Sequence, residues 1–341
     1  MQINQDPQIL HHKILKETPP ALRYDGTIPF TAWQQQARAR LATLLGLDRI
    51  APAEQDEFTL LSTEECEGFT DYALRFQSEQ GYFVPCHLWV PKGKVGKLPT
   101  VICLQGHSTG YHISMGRPIY SRDEGLISGG DRDFAVQIVK EGYCALCIEQ
   151  RNFGECSNIE NKKLGCTVPS LSALLFGRTT IGERVFDIMR AIDVLPKHFP
   201  MINTDAIACM GNSGGGTATI YAAAMEERIC LAMPSCALCT YKDSIGAMHH
   251  CSCNFVPNIA LDFDMGDLCG LIAPRPLIVV SGAQDNIFPR DGVAESVAIA
   301  KNYYRAACAP DDACIWLEGT EGHRFYAALS WPTFRKLLLN S

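Results

Sequence analysis

Between Ala208 and Ala218 the chain reads as a short apolar strand, a Gly-x-Ser-x-Gly turn and a helix start built from small residues. Few folds accept that order. Gly211 and Gly215 stand two places either side of Ser213, which keeps side chains out of a tight crossing of strand and helix. A serine in such a turn takes a strained backbone that lifts its hydroxyl above the sheet, the arrangement of a nucleophile elbow. So short a pattern arises by chance in a chain with 28 glycines among 341 residues, so its weight comes from what surrounds it.

The surroundings repeat a strand-then-helix rhythm. Apolar runs predict strands at 101–104, 144–148, 207–210, 230–233, 277–280 and 315–317. Helical spacing is read at 134–139, 182–195, 214–225, 293–307 and 325–339, with Val185, Ile188, Met189 and Ile192 on one face of the second. Such alternation implies an α/β chain in three layers: a mostly parallel central sheet with helices on both faces. From Phe58 to Val90 the pattern is instead two-residue alternation around Gln80-Gly81, which predicts antiparallel strands at the N-terminal side of that sheet. Residues 1–57 read as a helical extension, its one clear helix carrying Trp33, Ala37, Leu41, Leu44 and Leu45 on a stripe that ends near Gly46. Residues 58–341 read as the catalytic domain.

Composition excludes several classes. A net charge of −7 with no basic stretch argues against nucleic acid and anionic membranes as partners. No apolar run approaches the roughly 20 residues of a membrane span, and residues 1–16 lack a signal-peptide core, so a cytoplasmic chain is expected. The 16 cysteines are too many to ignore, yet Cys103, Cys144, Cys147, Cys209 and Cys314 sit inside apolar strands of a large chain. Reduced, packed thiols are therefore expected rather than a disulfide scaffold.

In an open parallel sheet, ligands gather at the carboxyl ends of strands. Ser213 follows one predicted strand, Asp285 follows Leu277–Val280, and His323 follows Ile315–Leu317. Singly these residues could be a helix cap, a turn aspartate and a surface histidine. Together they have the chain order Ser, Asp, His. Ser213 is the candidate nucleophile, His323 the base and later acid, and Asp285 the group that holds the imidazole. The oxyanion would be held by the backbone N–H of Gly214 and, from the loop Gln105-Gly106-His107, by that of His107. Substrate contacts are expected from Gln105, Glu149, Arg151 and His249, with Glu149 as a reserve triad acid or as the ion partner of Arg151. The run His249-His250-Cys251-Ser252-Cys253, with Cys236 and Cys239 upstream, invites a zinc reading, but its spacings match no common pair of ligand pairs. Neither metal nor cofactor is expected.

With these motifs assembled, the chain resembles the α/β-hydrolase superfamily. More narrowly, it is similar to its acetyl xylan esterase-like and dienelactone-hydrolase-like bacterial branches over about residues 58 to 340. The likeness is carried by Gln105-Gly106-His107, Arg151-Asn152-Phe153-Gly154-Glu155, Gly211-Asn212-Ser213-Gly214-Gly215, Asp285 and Gly322-His323. This chain has Gln105 where the loop histidine often stands and Arg151-Asn152 where Arg-Gly often stands, and Ser213 departs from the cysteine nucleophile of dienelactone hydrolases. The resemblance implies a serine esterase acting through an acyl-enzyme on a small-molecule ester, with an acetylated sugar preferred. A homo-oligomer is compatible with it. The rival readings are a serine peptidase or amidase on the same fold, a hydrolase-fold protein that only binds ligand, and a zinc-dependent hydrolase.

Overall fold

The computed structural model describes residues 5–157 and 165–338. Nine strands form one sheet: β1 (Phe58–Glu65), β2 (Phe69–Glu79), β3 (Tyr82–Pro91), β4 (Leu98–Leu104), β5 (Cys144–Ile148), β6 (Ile202–Asn212), β7 (Ile229–Ser235), β8 (Leu277–Gly282) and β9 (Cys314–Gly319). Their spatial order is β1-β2-β3-β5-β4-β6-β7-β8-β9. The first three strands form an antiparallel meander, and β3 joins β5 antiparallel. Every further pair, from β5 across to β9, is parallel. The α/β-hydrolase architecture expected from the sequence is the one present.

The reason lies in the pleat. Val101 and Cys103 of β4, Ala208 and Met210 of β6, and Ile278 and Val280 of β8 belong to one buried core. Their neighbours Ile102 and Leu104, Ile207 and Cys209, and Leu277 and Val279 belong to the other. Adjacent side chains point to opposite faces, so a strand that is apolar at every position must be covered on both sides. All sixteen cysteines are free thiols, and the five placed in strands by the sequence are buried there.

Residues of the N-terminal segment share this core. Trp33, Ala37, Leu41, Leu44 and Leu45 of the helix Phe30–Leu45 pack in the same cluster as Phe76, Ile188 and Tyr221. The helix ends at Gly46, whose φ of +73° is the left-handed C-terminal stop that glycine makes without strain. A second helix, Pro7–Glu17, was not foreseen. It has no buried residue, so apolar periodicity could not reveal it. It lies on the segment after β7, with His12 Nε2 at 2.8 Å from the Lys242 carbonyl oxygen. Among the described residues, no helix is long and apolar enough to cross a membrane.

What positions the site is the strand order. The chain leaves β4 to form β5 on one side and then crosses to build β6 on the other. The loops leaving the carboxyl ends of β4 and β6 therefore diverge around a crevice, where ligands of open parallel sheets bind.

Candidate active site

Ser213 is the single residue between the end of β6 and the helix Gly214–Met225. Its φ of +56° and ψ of −123° lie in a region that a side chain occupies only under strain. Two bonds hold it there. The Ser213 N–H donates to the Ser235 carbonyl at 2.8 Å, and the Ser213 carbonyl accepts from the Thr217 N–H at 2.8 Å, opening the helix. The glycines are steric requirements. A Cβ on Gly215 would stand 2.1 Å from the Leu104 carbonyl oxygen. A Cβ on Gly106 would stand 2.6 Å from the Asn212 carbonyl oxygen and 2.8 Å from the Ser213 Cβ. The loop after β4 thus lies directly on the elbow, which brings the His107 segment beside Gly214.

His323 and Asp285 reach the same end of the sheet from β9 and β8. His323 Nδ1 lies 2.7 Å from Asp285 Oδ2, while Oδ1 accepts from the amides of Ile287 at 2.8 Å and Phe288 at 3.2 Å. Burial pushes the Asp285 carboxyl upward, but the bond from His323, its charge and the two amides outweigh that and hold it below its ordinary value. An ionised Asp285 favours the tautomer with its proton on Nδ1, in which the lone pair is on Nε2. Phe288 stacks along the imidazole with ring centres 5.9 Å apart and planes 15° from parallel. Arg132 donates from Nη2 to the His323 carbonyl at 3.1 Å, so the backbone of the base is held as well as its ring. Ser213, His323, His107 and His249 all line one cavity of about 910 Å³. The Ser213 hydroxyl on its strained turn, the His323 imidazole and the carboxylate that holds that imidazole are then gathered at one opening.

The family follows from this chain's extended match to a known model. Residues 7–315 match the model of the Abhydrolase family. The chain belongs to the Abhydrolase family. A relative by sequence is YtaP of Bacillus subtilis (strain 168), provisionally assigned as a hydrolase. It is 26% identical over 216 residues, which are 61% of this chain and 68% of that protein. Among solved structures, one provisionally assigned as an acetyl xylan esterase from Bacteroides fragilis NCTC 9343 superposes with a TM-score of 0.75. The identity is 17%, over 97% of this chain and 85% of that one. A glucuronoyl esterase from Solibacter usitatus superposes at 0.70 and 16% identity, over 94% of this chain and 97% of the other. At these identities the structural likeness is one of fold.

The remaining sequence-predicted residues of this Abhydrolase chain divide. His249 is at the cavity with Ser213. Gln105 is buried and turns inward, donating to Ser114 Oγ at 2.7 Å and to the Arg132 carbonyl at 2.9 Å, while Gln150 donates to its carbonyl. It braces the loop after β4 and does not line the cavity at Ser213. Arg151 is likewise buried, paired with Asp187 and Glu79 at 2.7 Å each and stacked over the Tyr82 ring at 4.1 Å. Its ion partners are these residues and Glu183, not Glu149 as the sequence suggested. The three carboxylates lie on β2 and on the helix Thr180–His198, away from Arg151 in the chain, so no local pattern discloses the pairing. Arg132 and Phe288 escaped sequence reading for the same reason, because each acts on His323 only across the fold.

Glu149 lines a second cavity, of about 790 Å³, with Tyr111 and Asn152. It accepts from the amides of Tyr111 at 3.2 Å and Glu155 at 3.3 Å, and burial pushes its carboxyl up to about 8 from an ordinary 4.5. The folded state therefore binds this proton more tightly than the unfolded state. The resulting stability is complete below pH 4.5 and is lost as pH rises through 8. Between pH 6 and pH 9 that loss is about 3 kcal/mol. The Glu149→Gln variant keeps an uncharged acceptor and has no proton to lose. Urea unfolding at both pH values should show the parent losing more stability than the variant by this margin. Equal losses would mean that Glu149 is ionised throughout.

Proposed function

We propose that this chain is a serine carboxylic-ester hydrolase working through Ser213, His323 and Asp285, with an acetylated carbohydrate as its ester. The observation that carries the reading is the Asp285–His323 bond of 2.7 Å on the wall of the cavity that Ser213 also lines. Membership of the Abhydrolase family and the esterase names of its fold neighbours support an ester-hydrolysing enzyme. The carbohydrate part rests on those names, acetyl xylan and glucuronoyl esters among them. It also rests on a cavity of about 910 Å³, far larger than an acetyl group needs.

Ser213 Oγ attacks the ester carbonyl while its proton moves to Nε2 of His323. The carbonyl oxygen becomes an anion held by the Gly214 and His107 N–H groups, each such donor being worth about 2.7–4 kcal/mol in the transition state. Collapse of the tetrahedral intermediate breaks the ester C–O bond, and His323 returns the proton to the leaving alcohol. Water, deprotonated by the same nitrogen, then attacks the acyl-enzyme and frees the acid and Ser213. Asp285 stays ionised and steadies the imidazolium in both halves.

The purified chain should release p-nitrophenol from p-nitrophenyl acetate, and acetylated xylo-oligosaccharides should be turned over with a higher kcat/KM than peptide amides. A fluorophosphonate should label Ser213, as read by peptide mass spectrometry. Faster cleavage of peptides would replace the esterase by a peptidase. No labelling and no hydrolysis would leave a ligand-binding protein.

A further inference from the structure

Outside the triad, four side chains from three distant segments converge. His107 comes from the loop after β4, Cys166 stands immediately before the helix Thr167–Leu175, and Cys251 and Cys253 flank Ser252. One nitrogen of the histidine and the three sulfurs all lie within 4.8 Å of one another. His107 Nε2 is 3.1 Å from Cys253 Sγ. A tetrahedral zinc with bonds near 2.3 Å to sulfur and 2.0–2.1 Å to nitrogen has ligand–ligand edges of about 3.5–3.8 Å. The four atoms therefore need only small movements to enclose one ion.

A second observation concerns charge. Arg184 is fully buried, and its Nη1 lies 3.6 Å from Cys253 Sγ. Its Nε and Nη2 donate to the Arg151 carbonyl at 3.1 and 2.8 Å, and its guanidinium covers the Phe153 ring at 4.2 Å. Among the described residues no carboxylate comes within the 4.0 Å of an ion pair with Arg184; Glu149 acts on it only at longer range, and burial favours the neutral form of that carboxyl. A buried cation without a counter-charge is costly. Three thiolates and one histidine around a divalent ion carry a net charge of −1, which Arg184 neutralises. A disulfide would consume two of the three sulfurs and provide no such anion.

The geometry points to a structural zinc site formed by His107, Cys166, Cys251 and Cys253. Four protein ligands close the coordination sphere, so the ion is a clamp and not a Lewis acid for the ester. The ions bound by such sets are thiophilic divalent metals, zinc foremost. Its position gives the clamp a purpose. With Nε2 on the metal, the ring proton resides on Nδ1, and that nitrogen faces Gly214, where a Cβ would stand 3.0 Å away. The metal thus pins the loop whose backbone meets the elbow to two other segments that line the same cavity. The set differs from the one the local spacing suggested. Cys236 donates to the Arg324 carbonyl at 3.2 Å and Cys239 to the Pro289 carbonyl at 3.8 Å, both away from Cys251 and Cys253.

Metal content tests this directly and does not depend on esterase activity. The full chain, purified under reducing conditions and dialysed against zinc and then metal-free buffer, should retain about one zinc per chain by mass spectrometry of the elements. A mercurial that caps thiols should release it in step with the modification of three cysteines. Cobalt in its place should give a thiolate-to-metal charge-transfer band. In Cys166→Ser and in Cys251→Ser, zinc retained under the same dialysis should fall by roughly tenfold or more. A parent chain that retains no zinc after that loading overturns the proposal, whatever the folding of the variants. So does unchanged zinc in both folded variants, or a Cys–Cys cross-link among these residues in peptides of the zinc-loaded chain alkylated without a further reduction step.

Discussion

Replacing Ser213 by alanine should lower kcat on p-nitrophenyl acetate by roughly 10⁴- to 10⁶-fold while leaving the fold intact. The size follows from losing the nucleophile altogether, so that only binding and the oxyanion donors remain to help direct attack by water. The fold should survive because the bonds that hold position 213 are made by its backbone, to Ser235 and from Thr217. Alanine carries the same Cβ into the same strained turn, so the substitution adds no new strain. Stopped-flow and steady-state kinetics give the rate, and circular dichroism with a thermal melt gives the fold. An alanine variant that hydrolyses within tenfold of the parent would remove Ser213 from the mechanism.

Asp285→Asn should cost roughly 10⁴-fold in kcat with little change in KM. Asparagine fills the same space and can still meet the amides of Ile287 and Phe288. It cannot require a proton on His323 Nδ1, since its own amide can donate to that nitrogen. The histidine is then free to present a protonated Nε2 to Ser213, which is useless as a base. The parent's Asp285 is held below the ordinary carboxylate value, so its grip on the imidazole is complete above that ordinary value. The grip is lost only as pH falls through the depressed one. A raised KM with unchanged kcat would instead assign Asp285 to substrate binding.

The three residues of the proposed triad were readable as candidates because each follows its own strand. Parallel strands deliver their carboxyl ends to one edge, so Ser213 after β6, Asp285 after β8 and His323 after β9 come to the same end of the sheet. The helix Gly214–Met225 was readable to the residue for a similar reason, since its small residues begin immediately after the turn. Gln105 and Arg151 were legible as residues near strand ends but not as buried braces. Their partners, Arg132, Asp187 and Glu79, approach from other segments of the chain. The helix Pro7–Glu17 left no periodic apolar trace because it buries nothing.

The cysteines show the division most sharply. Their placement in apolar strands already identified Cys103, Cys144, Cys147, Cys209 and Cys314 as packing residues, because strand burial is a local, period-two property. Cys251 and Cys253 invited a zinc reading from their own run, but Cys166 looks no different from the packing cysteines, and His107, 146 positions before Cys253, gives no spacing signal at all. Periodicity and turn chemistry act over a few residues, so the sheet, the elbow and the strand-end positions of Ser213, Asp285 and His323 were written locally. The bracing of His323 by Arg132 and Phe288, the cavity wall, and the meeting of three thiols with one imidazole beside a buried arginine depend on chain segments brought together only by packing. Such contacts are set by the three-dimensional closure of the core, which no short window of residues contains.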